Sequence, residues 1–165
     1  MNVKGIIDED FVNYRKASMF IATSKCSFKC DVECGKCVCQ NSELANTATI
    51  SISDDDICKR YIDNDITESI VIGGLEPFDT FDELYSFIDT ARNKYGIKDE
   101  IIIYTGYTET ELTESGFSKS RLDSIKEFEN IIIKFGRFIP DQKKHFDEVL
   151  GVYLSSDNQC AKIIS

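Results

Sequence analysis

Short apolar blocks recur along the chain, and the stretches between them turn amphipathic or polar. Ser18-Met19-Phe20-Ile21-Ala22 reads as a buried strand. Ser69-Ile70-Val71-Ile72, Ile101-Ile102-Ile103-Tyr104 and Ile131-Ile132-Ile133 are of the same kind. They are too short for helices, rich in β-branched residues and apolar without alternation, as strands covered on both faces of a parallel sheet are. Thr47 to Ile52 alternates apolar and polar and predicts an edge strand. Val152-Tyr153-Leu154 and Ala161 to Ile164 give weaker strand signals. Between the blocks the period changes. Ser53 is placed to cap a helix running to about Ile62, with acidic residues in its first turn. Phe81, Leu84, Tyr85, Phe87, Ile88 and Ala91 follow helical spacing, and Gly96 is a helix stop. Helical patterns resume at Glu109 to Leu112 and at Ser120 to Phe128. Met1 to about Lys16 is polar and weakly patterned, and predicts no element.

Strands alternating with helices imply right-handed crossovers and an α/β fold with a mostly parallel sheet. No repeat, low-complexity tract or linker divides the sequence, so one domain over residues 1–165 is expected. A closed eight-fold barrel needs about 250 residues. A chain of 165 residues accommodates a partial, open (β/α) barrel of mostly parallel strands, or a curved doubly wound sheet.

Charge narrows the functional classes. A formal charge of −10 argues against a broad phosphate-binding surface, so no nucleic-acid partner is expected. No stretch approaches the roughly 20 apolar residues of a membrane span, and no leader pattern is evident at the start. The cytoplasm is the expected compartment. Thiols stay reduced there, and clustered cysteines favour metal binding over disulfides.

That last point matters because five of the seven cysteines fall between residues 26 and 39: Cys26, Cys30, Cys34, Cys37 and Cys39. Thiols so closely spaced along a loop suit a soft metal or an iron–sulfur cluster. Spacing leaves several parsings open. Cys30-x3-Cys34-x2-Cys37 is one; Cys26-x3-Cys30 with Cys39 as a later ligand is another. A four-cysteine zinc site is the plainer alternative, although no second knuckle exists. Cys58 and Cys160 read as ordinary thiols.

Three more irregular segments follow apolar blocks: Gly73-Gly74-Leu75-Glu76-Pro77, Thr105-Gly106-Tyr107-Thr108 and Phe135-Gly136-Arg137. Parallel α/β sheets place ligands at the carboxyl ends of their strands, so these segments and the cysteine loop should converge on one face. Taken singly they are weaker signals. The glycines equally serve a tight turn. Glu76 could accept from an ammonium group or face solvent. Tyr107 could line a pocket or simply pack. Arg137 could bind a carboxylate or a partner, with a surface ion pair as the default. His145, the sole histidine, reads as exposed and without a role.

These residues together resemble a known family. A Cys-x3-Cys loop after the first strand, ending Cys39-Gln40-Asn41, resembles the cluster loop of radical S-adenosylmethionine enzymes. Gly73-Gly74-Leu75-Glu76-Pro77 resembles their Gly-Gly-Glu-Pro motif, with Leu75 interposed. Ile103-Tyr104-Thr105-Gly106-Tyr107-Thr108 with Glu111-Leu112, Lys134-Phe135-Gly136-Arg137-Phe138-Ile139 and Ser155-Ser156-Asp157-Asn158-Gln159 resemble the activating enzyme of anaerobic (class III) ribonucleotide reductase. The likeness runs from about residue 18 to the end. Phe135 stands where that family often has aspartate, and Phe11 to Lys16 replaces its glycine-rich entry.

The resemblance implies a [4Fe–4S] cluster held by three cysteines, with S-adenosylmethionine on the remaining iron. Ser27-Phe28-Lys29 and Cys39-Gln40-Asn41 are the parts most similar to the family's loop, so Cys26, Cys30 and Cys39 are the ligands it implies, with about six extra residues before the third. Gly73, Gly74, Glu76 and Tyr107 would then bind the S-adenosylmethionine. The implied activity is generation of a glycyl radical on the large subunit of anaerobic ribonucleoside-triphosphate reductase, with an electron donor such as flavodoxin or ferredoxin. A small radical enzyme acting on a metabolite, or a non-catalytic module with structural zinc, are the alternatives.

Overall fold

The elements run β1 (Asn2–Asp10), β2 (Ser18–Thr23), α1 (Lys29–Cys34), α2 (Ser42–Ala45), β3 (Ile50–Ser51), α3 (Asp54–Ile62), β4 (Ser69–Gly73), α4 (Phe81–Asp89), β5 (Glu100–Tyr104), α5 (Glu109–Glu114), α6 (Gly116–Lys126), β6 (Ile131–Phe135), β7 (His145–Asp147), β8 (Val152–Leu154) and β9 (Cys160–Ile163). The computed structural model describes residues 1–114 and 116–165.

The four apolar blocks become β2, β4, β5 and β6, which pair in parallel and lie side by side in chain order. Around them the sheet is mixed. β1 pairs antiparallel with β2, β3 with β1, and β9 with β6. The seven-stranded sheet runs β3-β1-β2-β4-β5-β6-β9, and its two end strands are not joined, so it is open. This is an α/β fold with a mostly parallel central sheet.

β1 corrects the expectation for Met1 to Lys16. Most of its side chains are half-buried or exposed, so apolar patterning does not announce it; hydrogen bonding to β2 makes the strand. Of the edge strand expected over Thr47 to Ile52, Ile50 and Ser51 alone pair, at the sheet's margin.

The two faces of the sheet are covered differently. Met19, Ile21, Ile70, Ile72, Ile101, Ile103, Ile131 and Ile133 pack against Ile57, Leu84, Phe87, Ile88, Leu112, Leu122 and Ile125 from α3, α4, α5 and α6. Each fully buried apolar side chain of this size contributes roughly 1.5–3 kcal/mol. The opposite face, carrying Val71, Ile102 and Ile132, packs against Tyr14, Leu150 and Leu154. The long helices thus lie on one face and the parallel strands advance in order. The sheet is singly wound, which sets aside the doubly wound alternative. The hairpin of β7 and β8 closes the second face; β7 gave no signal in the sequence.

Local chemistry matches the sequence where caps are concerned. The Ser53 hydroxyl accepts from the Asp56 N–H at 3.0 Å and starts α3. A 3-10 turn, Pro77–Thr80, leads into α4, and a π turn, Thr90–Lys94, follows it. Gly96 ends that run with φ +66°. No helix among the described residues is long and apolar enough to cross a membrane.

Candidate functional site

The four irregular segments meet at the carboxyl ends of the parallel strands, around one cavity of about 400 Å³. Cys26, Cys30 and Cys39 line it, as do Gly74, Leu75, Glu76, Thr105, Gly106, Tyr107, Gly136 and Arg137. Cys34 and Cys37 do not contribute to its wall. Cys58 is buried in α3, and Cys160 is exposed on β9.

The cysteine segment is shaped by two residues that sequence reasoning passed over. Phe28, in the left-handed region at φ 52°, turns the chain into α1. Asp31 then accepts from the Val38 N–H at 2.7 Å and the Cys39 N–H at 2.8 Å. These bonds fold the extra residues back, so that Cys39 returns beside Cys30 and Cys26. Asp79, on the 3-10 turn, ties the segment down from the other side. It accepts from the Ser27 N–H at 2.6 Å and the Tyr107 hydroxyl at 2.8 Å. A six-residue helix and a 3-10 turn are too short to show a period, so neither Asp31 nor Asp79 stood out.

Burial pushes the Cys26 thiol up to about 11, with Glu76, Asp79 and Cys39 adding to the effect. Burial and the neighbouring Cys39 push Cys30 up to about 12. Free thiols so placed resist ionisation, and a bound cation reverses that preference. The donor set is sulfur alone and suits iron–sulfur chemistry. Among the described residues no three Cys, His, Asp or Glu side chains converge tightly enough to hold a single metal ion.

The glycine pair is steric at one position and conformational at the next. A Cβ on Gly73 would sit 2.9 Å from Tyr104 Cβ, so β4 and β5 approach closely there. Gly73 itself does not reach the cavity. Gly74 lines it with φ +76°, a conformation that favours glycine.

Glu76 does not face solvent; it is 6% exposed. Its carboxylate accepts from the Thr105 hydroxyl at 2.7 Å, the Gly106 N–H at 2.7 Å and the Phe78 N–H at 3.1 Å. Burial nevertheless pushes it up to about 7. A carboxylate has about four acceptor positions, so one remains for a donor entering the cavity. Tyr107 lines the wall, and the Lys29 ammonium lies 4.1 Å from its ring centroid. Burial and Asp79 raise its hydroxyl above the usual range.

Arg137 departs from the surface default. It is 8% exposed and bridges two segments. Nη1 donates to Glu33 at 2.6 Å, and Nη2 to both Glu111 oxygens at 2.7 and 2.6 Å. Glu33 belongs to α1 and Glu111 to α5, so Arg137 clamps the cysteine segment to α5. Lys134, given no role of its own in the sequence analysis, is 7% exposed on β6 and also lines the cavity. Burial pulls its ammonium down to about 8, although Glu76 and Cys160 favour the charged form. His145 is half-buried and away from the cavity.

A family model described as a 4Fe-4S single cluster domain matches residues 15–160. No curated protein and no solved structure matches the chain.

Proposed function

Since the chain belongs to the 4Fe-4S single cluster domain family, we propose that Cys26, Cys30 and Cys39 hold the cluster and that the adjoining cavity binds S-adenosylmethionine for reductive cleavage. One observation carries this reading. These three thiols, and neither Cys34 nor Cys37, share a cavity with the Gly-Gly-Leu-Glu-Pro turn and the Thr-Gly-Tyr loop.

Held by Cys26, Cys30 and Cys39, the cluster would supply the one electron for reductive cleavage of S-adenosylmethionine to methionine, and the adenosyl fragment would take a hydrogen atom from its target and leave as 5′-deoxyadenosine. The chain supplies binding, orientation and exclusion of water. Three thiolate ligands from the chain would leave room for S-adenosylmethionine at the cluster, as catalytic metal sites keep a position for substrate. Glu76 keeps a free acceptor for the ligand's ammonium group. Gly74 brings backbone up to the ligand without a side chain. Asp79, Tyr107 and the Arg137 clamp hold the loops that shield the cavity.

The target we propose is a glycine of the large subunit of anaerobic ribonucleoside-triphosphate reductase, with flavodoxin or ferredoxin as electron donor in the cytoplasm. Tyr104 to Tyr107, Gly136 to Phe138 and Ser155, from the segments that resemble the activating enzyme, all line the cavity. The singly wound sheet supports a partial (β/α) barrel of the radical S-adenosylmethionine type.

The test is S-adenosylmethionine cleavage. The protein is purified without oxygen, reconstituted with iron and sulfide, and reduced with dithionite; 5′-deoxyadenosine is then measured by chromatography. Cluster-dependent product is expected, followed by a glycyl radical in the paramagnetic resonance spectrum when the reductase is added. Stoichiometric zinc without iron or sulfide would sink the reading.

A further inference from the structure

The cavity holds a cation that the reading above does not use. Lys134 pairs in register with Tyr104 and lies on the same face as Ile132, beneath the cavity. Its ammonium donates to the Gly136 carbonyl at 2.6 Å and lies 5.8 Å from the Tyr104 ring centroid. Among the described residues no carboxylate stands at ion-pair distance from it. An ammonium carries three donors, so two are left over. Burying a cation without a counter-ion is costly, and a sheet face of isoleucine and valine has no structural need of one. Three residues on, Arg137 presents a second unspent donor. Its terminal nitrogens go to Glu33 and Glu111, while its Nε–H is buried without a partner. Both residues line the cavity, flanking Gly136.

The opposite charge is present as well. Glu76 lines the same cavity with an acceptor position to spare. Gly106 bridges the two halves: a Cβ there would sit 3.4 Å from Glu76 Oε2 and 3.5 Å from Arg137 Cβ. One wall therefore offers an acceptor for an ammonium group, and its neighbour offers donors for an anion. That is the pattern of a zwitterionic α-amino-acid head.

We propose that Lys134, assisted by the Nε–H of Arg137, is the carboxylate subsite of the cavity, and that with Glu76 it selects ligands carrying an α-amino-acid head. This rests on the S-adenosylmethionine reading. Lys134 is then a specificity residue rather than a strut for Gly136.

The two roles separate on a ligand pair differing in the carboxylate alone: S-adenosylmethionine and its decarboxylated form. Equilibrium dialysis measures both against the anaerobically reconstituted wild type, Lys134→Met and Lys134→Gln. In Lys134→Met, S-adenosylmethionine affinity should fall about 10-fold or more, the loss of one charge-assisted hydrogen bond. Affinity for the decarboxylated ligand should change less than about two-fold. Lys134→Gln, which keeps a donor without the charge, should fall between. Unchanged affinities overturn the proposal, and so do parallel losses for both ligands in both variants, which mark a structural lysine. If the wild type binds neither ligand, the S-adenosylmethionine reading fails and this inference with it.

Discussion

Glu111→Gln tests the clamp that holds the cysteine segment. Glu111 takes both Nη2 hydrogen bonds of Arg137 and accepts from the Thr108 N–H at 2.8 Å. Burial alone would raise its carboxyl, but the guanidinium and the Thr108 N–H outweigh it and bring it down from 4.5 to about 2. That fall corresponds to at most ~3.4 kcal/mol. The side chain is 32% exposed, and solvent screening leaves about 2 kcal/mol. Glutamine keeps the shape, removes the charge and turns an amide donor towards donors. In a chain of this size about 2 kcal/mol lowers the melting temperature by roughly 4–8 °C. Thermal unfolding followed by circular dichroism under anaerobic conditions measures it. The pH dependence makes the test specific. A carboxyl depressed in the folded state stabilises above its unfolded value, and that stability is lost as pH falls through the folded value. The gap between wild type and variant should be full at pH 7, narrow below pH 4.5, and be under about half by pH 3. No gap at pH 7, or one that persists undiminished at pH 3, would refute the reasoning.

Three further outcomes are expected. Cys26→Ala, Cys30→Ala and Cys39→Ala each abolish cluster absorbance after reconstitution, whereas Cys34→Ala and Cys37→Ala retain it; loss in Cys37→Ala with retention in Cys39→Ala would restore the literal Cys-x3-Cys-x2-Cys parsing. Gly73→Ala places a Cβ 2.9 Å from Tyr104 Cβ and should cost about 1–3 kcal/mol in chemical denaturation, the penalty of overpacking. Ser53→Ala deletes the cap of α3 and should cost about 1 kcal/mol, with no effect on cluster content because α3 does not reach the cavity.

What the sequence disclosed follows from what leaves a periodic or compositional mark. β2, β4, β5 and β6 were legible because both their faces are buried, and continuous isoleucine and valine record that. The convergence of four loops followed from the parallel rule alone. β1 was silent because its main-chain bonds to β2 hold it, and those need no particular side chains. The excess between Cys30 and Cys39 was visible as length, but not that Asp31 folds it back on two N–H bonds. Phe135, set against the family's usual aspartate, points away from the cavity into the helical face of the core, so that difference leaves the wall of the cavity untouched.

Lys134 shows why the remainder was hidden. In Ile131-Ile132-Ile133-Lys134-Phe135 a single lysine at the end of an apolar run reads as the place where a strand meets solvent. Parallel pairing instead carries β6 one residue further, and the hairpin of β7 and β8 closes over the second face. The lysine is thereby enclosed at the carboxyl end of the strand, where this architecture puts its ligands. Burial of a cation there depends on pairings set by residues from Tyr14 to Leu154, far apart in the chain. The same enclosure makes the charge informative: a surface lysine would say nothing about function, while an ammonium with two unspent donors in a ligand cavity specifies the sign of what must enter it.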